Sequence, residues 1–231
     1  MSDFMVPRKV SVGGQGGTRR LDIGGDAPVS IQTMWKSPLT GADLAEIAGS
    51  LISLGQLGCD VVRFAVPDME SADALVALSS MTAMPLVADI HFDYKLAIRC
   101  LEGNVAKIRI NPGNIGSRER VKAVVDRARD SNAAIRIGVN SGSLPKDLQQ
   151  KVEYIRASGE DSVSARADAL AEAAEREAAV FDELGFDRYI VSMKASSVRE
   201  TVLCNEAFAR KHDAPLHLGV TEAGPLIGGV V

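Results

Sequence analysis

The sequence has few cysteines and no excess of positive charge. Cys59, Cys100 and Cys204 are an odd number, and no two stand in a C-x-x-C spacing. A disulfide framework is not expected, nor a metal or iron–sulfur site built from these cysteines alone. The 26 Lys and Arg residues face 30 Asp and Glu, for a formal charge of −4. No global basic field draws such a chain to nucleic acid or to an anionic membrane surface, so an anion must be met by a local cluster. No uncharged apolar run is long enough to span a bilayer. The opening MSDFMVPRKVSV shows neither an apolar signal core nor an Arg-rich amphipathic pattern. The expected location is the cytoplasm.

What is present is the balance of a globular domain: 231 residues, 46% hydrophobic and 24% charged, room for one large domain or two small ones. Short apolar runs recur at Val29–Met34, Asp60–Val66, Leu86–His91, Ala106–Asn111, Ala134–Asn140, Arg188–Lys194 and Leu216–Thr221. Rich in Ile, Val and Leu, they suit parallel strands buried on both faces. Between them, Gly41–Leu57, Ser71–Ser80, Ser117–Asp130 and Val198–His212 repeat apolar residues every three or four positions, as amphipathic helices do. Strand and helix in alternation mean an α/β fold with a parallel sheet.

Seven strands suit an open doubly wound sheet or a barrel lacking one unit. The G-x-G-x-x-G fingerprint of the first kind is missing from QTMWKSPLTG, which follows the first strand. A whole barrel takes about 250 residues. The expected fold is therefore a (β/α)8 TIM-type barrel over residues 29–231, incomplete and ending after its seventh strand, with residues 1–28 as an N-terminal hairpin or extension. Within that extension, Arg8–Ser30 reads as two short strands around GGQGG that close the barrel's N-terminal end. No Gly-Lys-Ser/Thr follows, so the glycines mark a turn rather than a phosphate loop. The polar stretch Lys146–Asp161 precedes a helix carrying Leu170, Ala174, Ala178, Phe181 and Leu184, expected on the barrel exterior.

Side chains alternate along a strand, and the polar residues fall on one parity. Arg63 stands against Val62, Phe64 and Val66; Asp89 and His91 against Leu86, Ala88 and Ile90; Arg109 and Asn111 against Ile108 and Ile110. Arg136, Gly138 and Asn140 oppose Ile135, Ile137 and Val139, and Ser192 and Lys194 oppose Val191 and Met193. A helix layer covers the apolar parity, so the polar set points inward. Arg63, Arg109, Arg136 and Lys194 then face only Asp89 and Glu222. Structural ion pairing accounts for any one of them, but four cations would need matched acids. The set points to a multiply charged anion, and Arg geometry favours phosphate. The Asn111-Pro-Gly-Asn-Ile-Gly and Asn140-Ser-Gly-Ser loops follow strand ends, where backbone N–H groups can turn toward it. His91 alone reads as a core histidine, His217 more strongly so, and His212 as exposed.

VRFAVPDM, PLVADIHFDY, IRINPGNIG, IRIGVNSGSL, VSMKAS and LHLGVTEAG occur in this order. Together they resemble the N-terminal barrel of the 4-hydroxy-3-methylbut-2-enyl diphosphate synthase family, the iron–sulfur oxidoreductases of the methylerythritol phosphate route to isoprenoids. The resemblance runs from about Arg8 to Gly224. It implies reductive opening of 2-C-methyl-D-erythritol 2,4-cyclodiphosphate with loss of water. Motif by motif, Arg63, Arg109, Arg136 and Lys194 would hold the diphosphate with Asn111 and Asn140. Asp89 and His91 would lie near the methylerythritol hydroxyls, and Glu222 would act in proton transfer.

The family also implies a 4Fe-4S cluster on three Cys and a Glu of a C-terminal domain, flavodoxin or ferredoxin as reductant, and a homo-oligomer in which one subunit's barrel meets another's cluster. None of the three cysteines here matches a cluster ligand, so the chain is expected to supply the diphosphate-binding half-site and to be inactive alone. Two other readings stay open: a non-catalytic cyclodiphosphate-binding module, and a pterin-binding barrel of the dihydropteroate synthase type.

Overall fold

The computed structural model describes residues 3–159 and 161–221. Six parallel strands follow one another in sequence order across a single sheet. They are β3 (Gln32–Met34), β4 (Val61–Ala65), β5 (Leu86–Asp89), β6 (Lys107–Ile110), β7 (Ala134–Asn140) and β8 (Tyr189–Lys194). Consecutive neighbours joined by helices are the signature of a barrel wall, because each right-handed crossover returns the chain beside the strand it left. An antiparallel pair, β1 (Val10–Val12) and β2 (Leu21–Ile23), precedes the sheet. It seals the N-terminal end of the barrel: Val10 and Val12 pack on Ala106, Ala134 and Ile190. The glycines of the GGQGG turn, Gly13, Gly14, Gly16 and Gly17, all have positive φ, the conformation a tight reversal requires.

The helices are α1 (Leu44–Gln56), α2 (Met69–Ser79), α3 (Tyr94–Cys100), α4 (Pro112–Ile115), α5 (Arg118–Asp130), α6 (Lys146–Ala157), α7 (Ser162–Glu183) and α8 (Val198–Ala209). Side-chain caps start many of them at the strands' C-terminal side. Asp43, Asp68, Asp93, Asp161 and Ser197 accept backbone N–H groups of the first turns of α1, α2, α3, α7 and α8. The apolar parity of each strand meets this layer. Phe64, Ile108, Ile135, Ile137 and Val191 belong to one core with Leu51, Leu75, Val124 and Leu170. No helix among the described residues is long and apolar enough to cross a membrane.

Two expectations need correcting. The run Leu216–Thr221 does not form a seventh strand: it makes one bridge, Leu216 to Val191. Around it, Pro215 O accepts from Val191 N at 2.9 Å and His217 N donates to Val191 O at 2.8 Å. Proline has no N–H for a ladder, and within the described residues nothing pairs with the far side of this run. The polar stretch Lys146–Asp161 is also mostly helical, as α6, of which only Leu148 is buried. Leu148, Val152 and Ile155 do fall at helical spacing on one side of it, but they are spread through a mostly polar run.

Candidate anion-binding site

The inward parity holds. Asp89, Arg109 and Arg136 are neighbours in register on β5, β6 and β7, and they are 4%, 6% and 1% exposed. Asp89 sits between two arginines: Oδ1 lies 3.1 Å from Arg109 Nη1 and Oδ2 lies 3.5 Å from Arg63 Nε. Both carboxylate oxygens are thus engaged in holding guanidinium groups in place. Arg63 also donates from Nη2 to Met34 Sδ at 2.8 Å. Gly138, next on the inward face of β7, leaves the space that Arg109 fills: a Cβ there would stand 2.6 Å from Arg109 Nε.

Among the described residues Arg136 has no such partner. Its Nε and Nη1 are buried without a hydrogen bond, and Arg109 Nε is also unbonded. Burial first, then repulsion from Arg63 and Arg109, bring its pKa down to about 9, with Asp89 acting the other way. Burial and the three arginines likewise bring Lys194 to about 8. Such N–H groups, aimed inward and unsatisfied, are the donors a bidentate oxyanion takes.

The strand ends complete the rim. Asn111, 7% exposed, caps α4 by accepting from Gly113 N at 3.2 Å, so its loop becomes a turn of helix rather than an open cradle. Asn140 lies beside Lys194 in register. His91 is at the mouth, its side chain 56% exposed and its Nε2 3.8 Å from Asp89 Oδ2; it is not a core histidine. Glu222 lies outside the described residues.

Two inward residues were not counted in the sequence. Lys107 is 1% exposed and shares the parity of Arg109 and Asn111; two-residue spacing was the signal available. His217, assigned to the core, stands within the field of Arg136, Lys107, Lys194 and Arg63. With its burial, that field lowers its pKa to about 2. His217 is therefore neutral, and five cations share one interior with Asp89. A cleft of about 690 Å³ opens between β3 and the segment after α8 and reaches two of them, with Lys107, Lys194, His217 and Gln32 in its wall.

The three thiols do not fit an iron–sulfur cluster. Cys59 precedes β4, Cys100 ends α3 and Cys204 lies within α8, all buried. Burial pushes Cys100 up to about 12 and Cys204 up to about 11, the opposite of what thiolate ligation needs. No described group of three His, Cys, Asp or Glu could hold a metal ion.

Fold and site together define an α/β barrel with a cationic interior. The chain belongs to the GcpE TIM-barrel domain family, whose model matches residues 8–231. It is 57% identical over 241 residues to the 4-hydroxy-3-methylbut-2-en-1-yl diphosphate synthase (flavodoxin) of Treponema denticola, covering 100% of this chain and 62% of that protein. The Treponema pallidum protein of the same name is 61% identical over 224 residues, covering 97% and 55%. The chain thus spans between half and two thirds of the length of these curated relatives. Among solved structures, 3-dehydroquinate dehydratases of Geobacillus kaustophilus and Clostridium difficile superpose with TM-scores of 0.56 and 0.55 at 12% and 17% identity. They cover 94% and 91% of this chain and 79% of each of theirs. At such identity the likeness shows the barrel fold alone. Membership of the GcpE family sets aside the dihydropteroate-type reading.

Proposed function

We propose that this chain is the substrate-binding barrel of an isoprenoid-pathway oxidoreductase that opens 2-C-methyl-D-erythritol 2,4-cyclodiphosphate to 4-hydroxy-3-methylbut-2-enyl diphosphate. The observation that carries the reading is the interior of five cations against Asp89. A cyclic diphosphate supplies the missing negative charge in compact form. Arg136 and Lys194 bind its oxygens, and Arg63 and Arg109 do so while Asp89 fixes their orientation. Asn111 and Asn140 close on the ligand from the strand ends. His91, at the mouth beside Asp89, faces the methylerythritol hydroxyls, and Glu222 moves the proton.

Ring opening takes up two electrons and one proton, breaks a carbon–oxygen bond to phosphate and releases the hydroxyl as water. A 4Fe-4S cluster, held outside the described residues, would supply the electrons, with flavodoxin, the reductant in the relatives' names, or ferredoxin as their source. The described residues offer that cluster no ligand set. This chain therefore binds and orients, and a cluster domain from a second subunit of a cytoplasmic homo-oligomer completes the site. No nucleic acid or membrane takes part. The cysteine positions equally favour the second reading, a module that binds the cyclodiphosphate without converting it.

Calorimetry with the cyclodiphosphate tests the binding, and anaerobic assays test the rest. Activity that appears only on adding a separately expressed cluster domain from a full-length relative supports the half-site reading. Binding without activity under those conditions supports the module. No binding at all overturns both.

A further inference from the structure

Lys107 is the inward residue that the motifs of the site do not include. It is flanked in register by Val87 and Ala134, and Ala134 packs with Val10 and Val12 of the hairpin in an apolar cluster. Among the described residues no carboxylate, carbonyl or hydroxyl pairs with it. The charged and titratable groups that share its interior are Arg63 from β4, Asp89 from β5, Arg109 from its own strand, Arg136 from β7, Lys194 from β8 and His217. Asp89 is already engaged by two arginines. Burial, then Arg136 and Arg63, bring Lys107 down to about 7. An unpaired ammonium at such a place costs stability that a methionine of similar length would not. Its tip nevertheless reaches the wall of the cleft, alongside Lys194 and His217.

We propose that Lys107 is a further anion-binding residue of this site, meeting the ligand's phosphoryl oxygens with Lys194 from the cleft side. The inference rests on the diphosphate reading above. In the free barrel the surrounding cations hold Lys107 partly neutral at neutral pH. A polyanion reverses that field, so one proton passes from solvent to Nζ as the ligand enters, and no covalent bond is made or broken. Because the bound form has the higher affinity for this proton, binding weakens as pH rises above 7.

The test uses the full chain, lysine labelled with 13C, and inorganic diphosphate as the probe. The Cε resonance absent from Lys107→Arg belongs to Lys107. Its midpoint is expected near neutrality in the free protein and at least about one unit higher with saturating diphosphate, a shift equivalent to about tenfold in affinity. Lys107→Met should bind diphosphate about tenfold more weakly and take up less proton on binding, read as the difference in heat between two buffers. A Lys107 titration that diphosphate leaves unmoved, or wild-type affinity in Lys107→Met, overturns the proposal. If Arg136→Ala loses binding while Lys107→Met keeps it, the diphosphate reading stands and this one falls. If wild type does not bind diphosphate, both fall.

Discussion

Arg109 and Arg136 stand opposite one another in register on β6 and β7, two guanidinium groups buried side by side. Arg109 has Asp89 at 3.1 Å; among the described residues Arg136 has no carboxylate and two unbonded nitrogens. Like charges opposite one another in a sheet oppose folding, so this pair is a cost that the proposed anion would offset.

Arg136→Met should therefore separate stability from binding. Replacing a buried, uncompensated charge by an apolar side chain of similar length is neutral or stabilising by about 1–4 kcal/mol. Loss of its charge-assisted hydrogen bonds should cost at least about 1.5–3 kcal/mol of affinity for the cyclodiphosphate. Thermal unfolding and calorimetry check the two halves; equal affinity in wild type and variant counts against the assignment.

Gly138→Ala should act through Arg109. The added methyl would stand 2.6 Å from Arg109 Nε, so the guanidinium must leave Asp89 or the strand must shift, at about 1–3 kcal/mol. A lowered melting temperature with weakened diphosphate binding is expected. A crystal structure of the variant with the Arg109–Asp89 pair intact would refute this route.

Stability of the free chain should rise with pH above neutrality. Lys107 falls to about 7 in the fold from about 10.4 in an unfolded chain. Between those values the unfolded state binds more protons, so the slope is positive, at most about 1.4 kcal/mol per pH unit for this group. The penalty is complete below pH 7 and gone above the unfolded value. Lys194 acts in the same direction from about 8. Melting temperatures from pH 7 to 9 should climb in wild type and climb less in Lys107→Met. Parallel curves would refute it.

Native thiols should be inert. With Cys100 and Cys204 buried and shifted to about 12 and 11, alkylation at pH 8 should label them only after unfolding. Anaerobic iron and sulfide should yield no stoichiometric 4Fe-4S spectrum on this chain. Either signal on the native chain would overturn the half-site reading.

The isolated chain should self-associate. Among the described residues β3 has one hydrogen-bonded neighbour, β4, and Val29, Ile31 and Leu218 are 95%, 60% and 67% exposed. Open edges flanked by apolar side chains recruit further chains. Val29→Lys with Leu218→Lys should lower the mass seen by light scattering and keep the melting temperature. A wild-type monomer at high concentration refutes this.

The alternation of Ile, Val and Leu with Arg, Asp and Asn sufficed to place β4 to β8 and to turn Arg63, Asp89, Arg109 and Arg136 inward, because a strand's period of two is local geometry and one covered face must be apolar. α6 was passed over because its Leu148, Val152 and Ile155 stripe is diluted in a polar run, and Leu216–Thr221 read as a strand because composition does not count hydrogen-bond partners. Lys107 obeyed the same period but was passed over as a single lysine at a strand's start. Which charges pair and which do not was decided only by tertiary structure: Asp89 lies between Arg63 and Arg109 and out of reach of Lys107, and Arg136 is left with free donors. Pairing depends on ångström distances between strands about 20 to 70 residues apart in sequence. The burial that shifts Lys107 and His217 exists only once the sheet has curled around them.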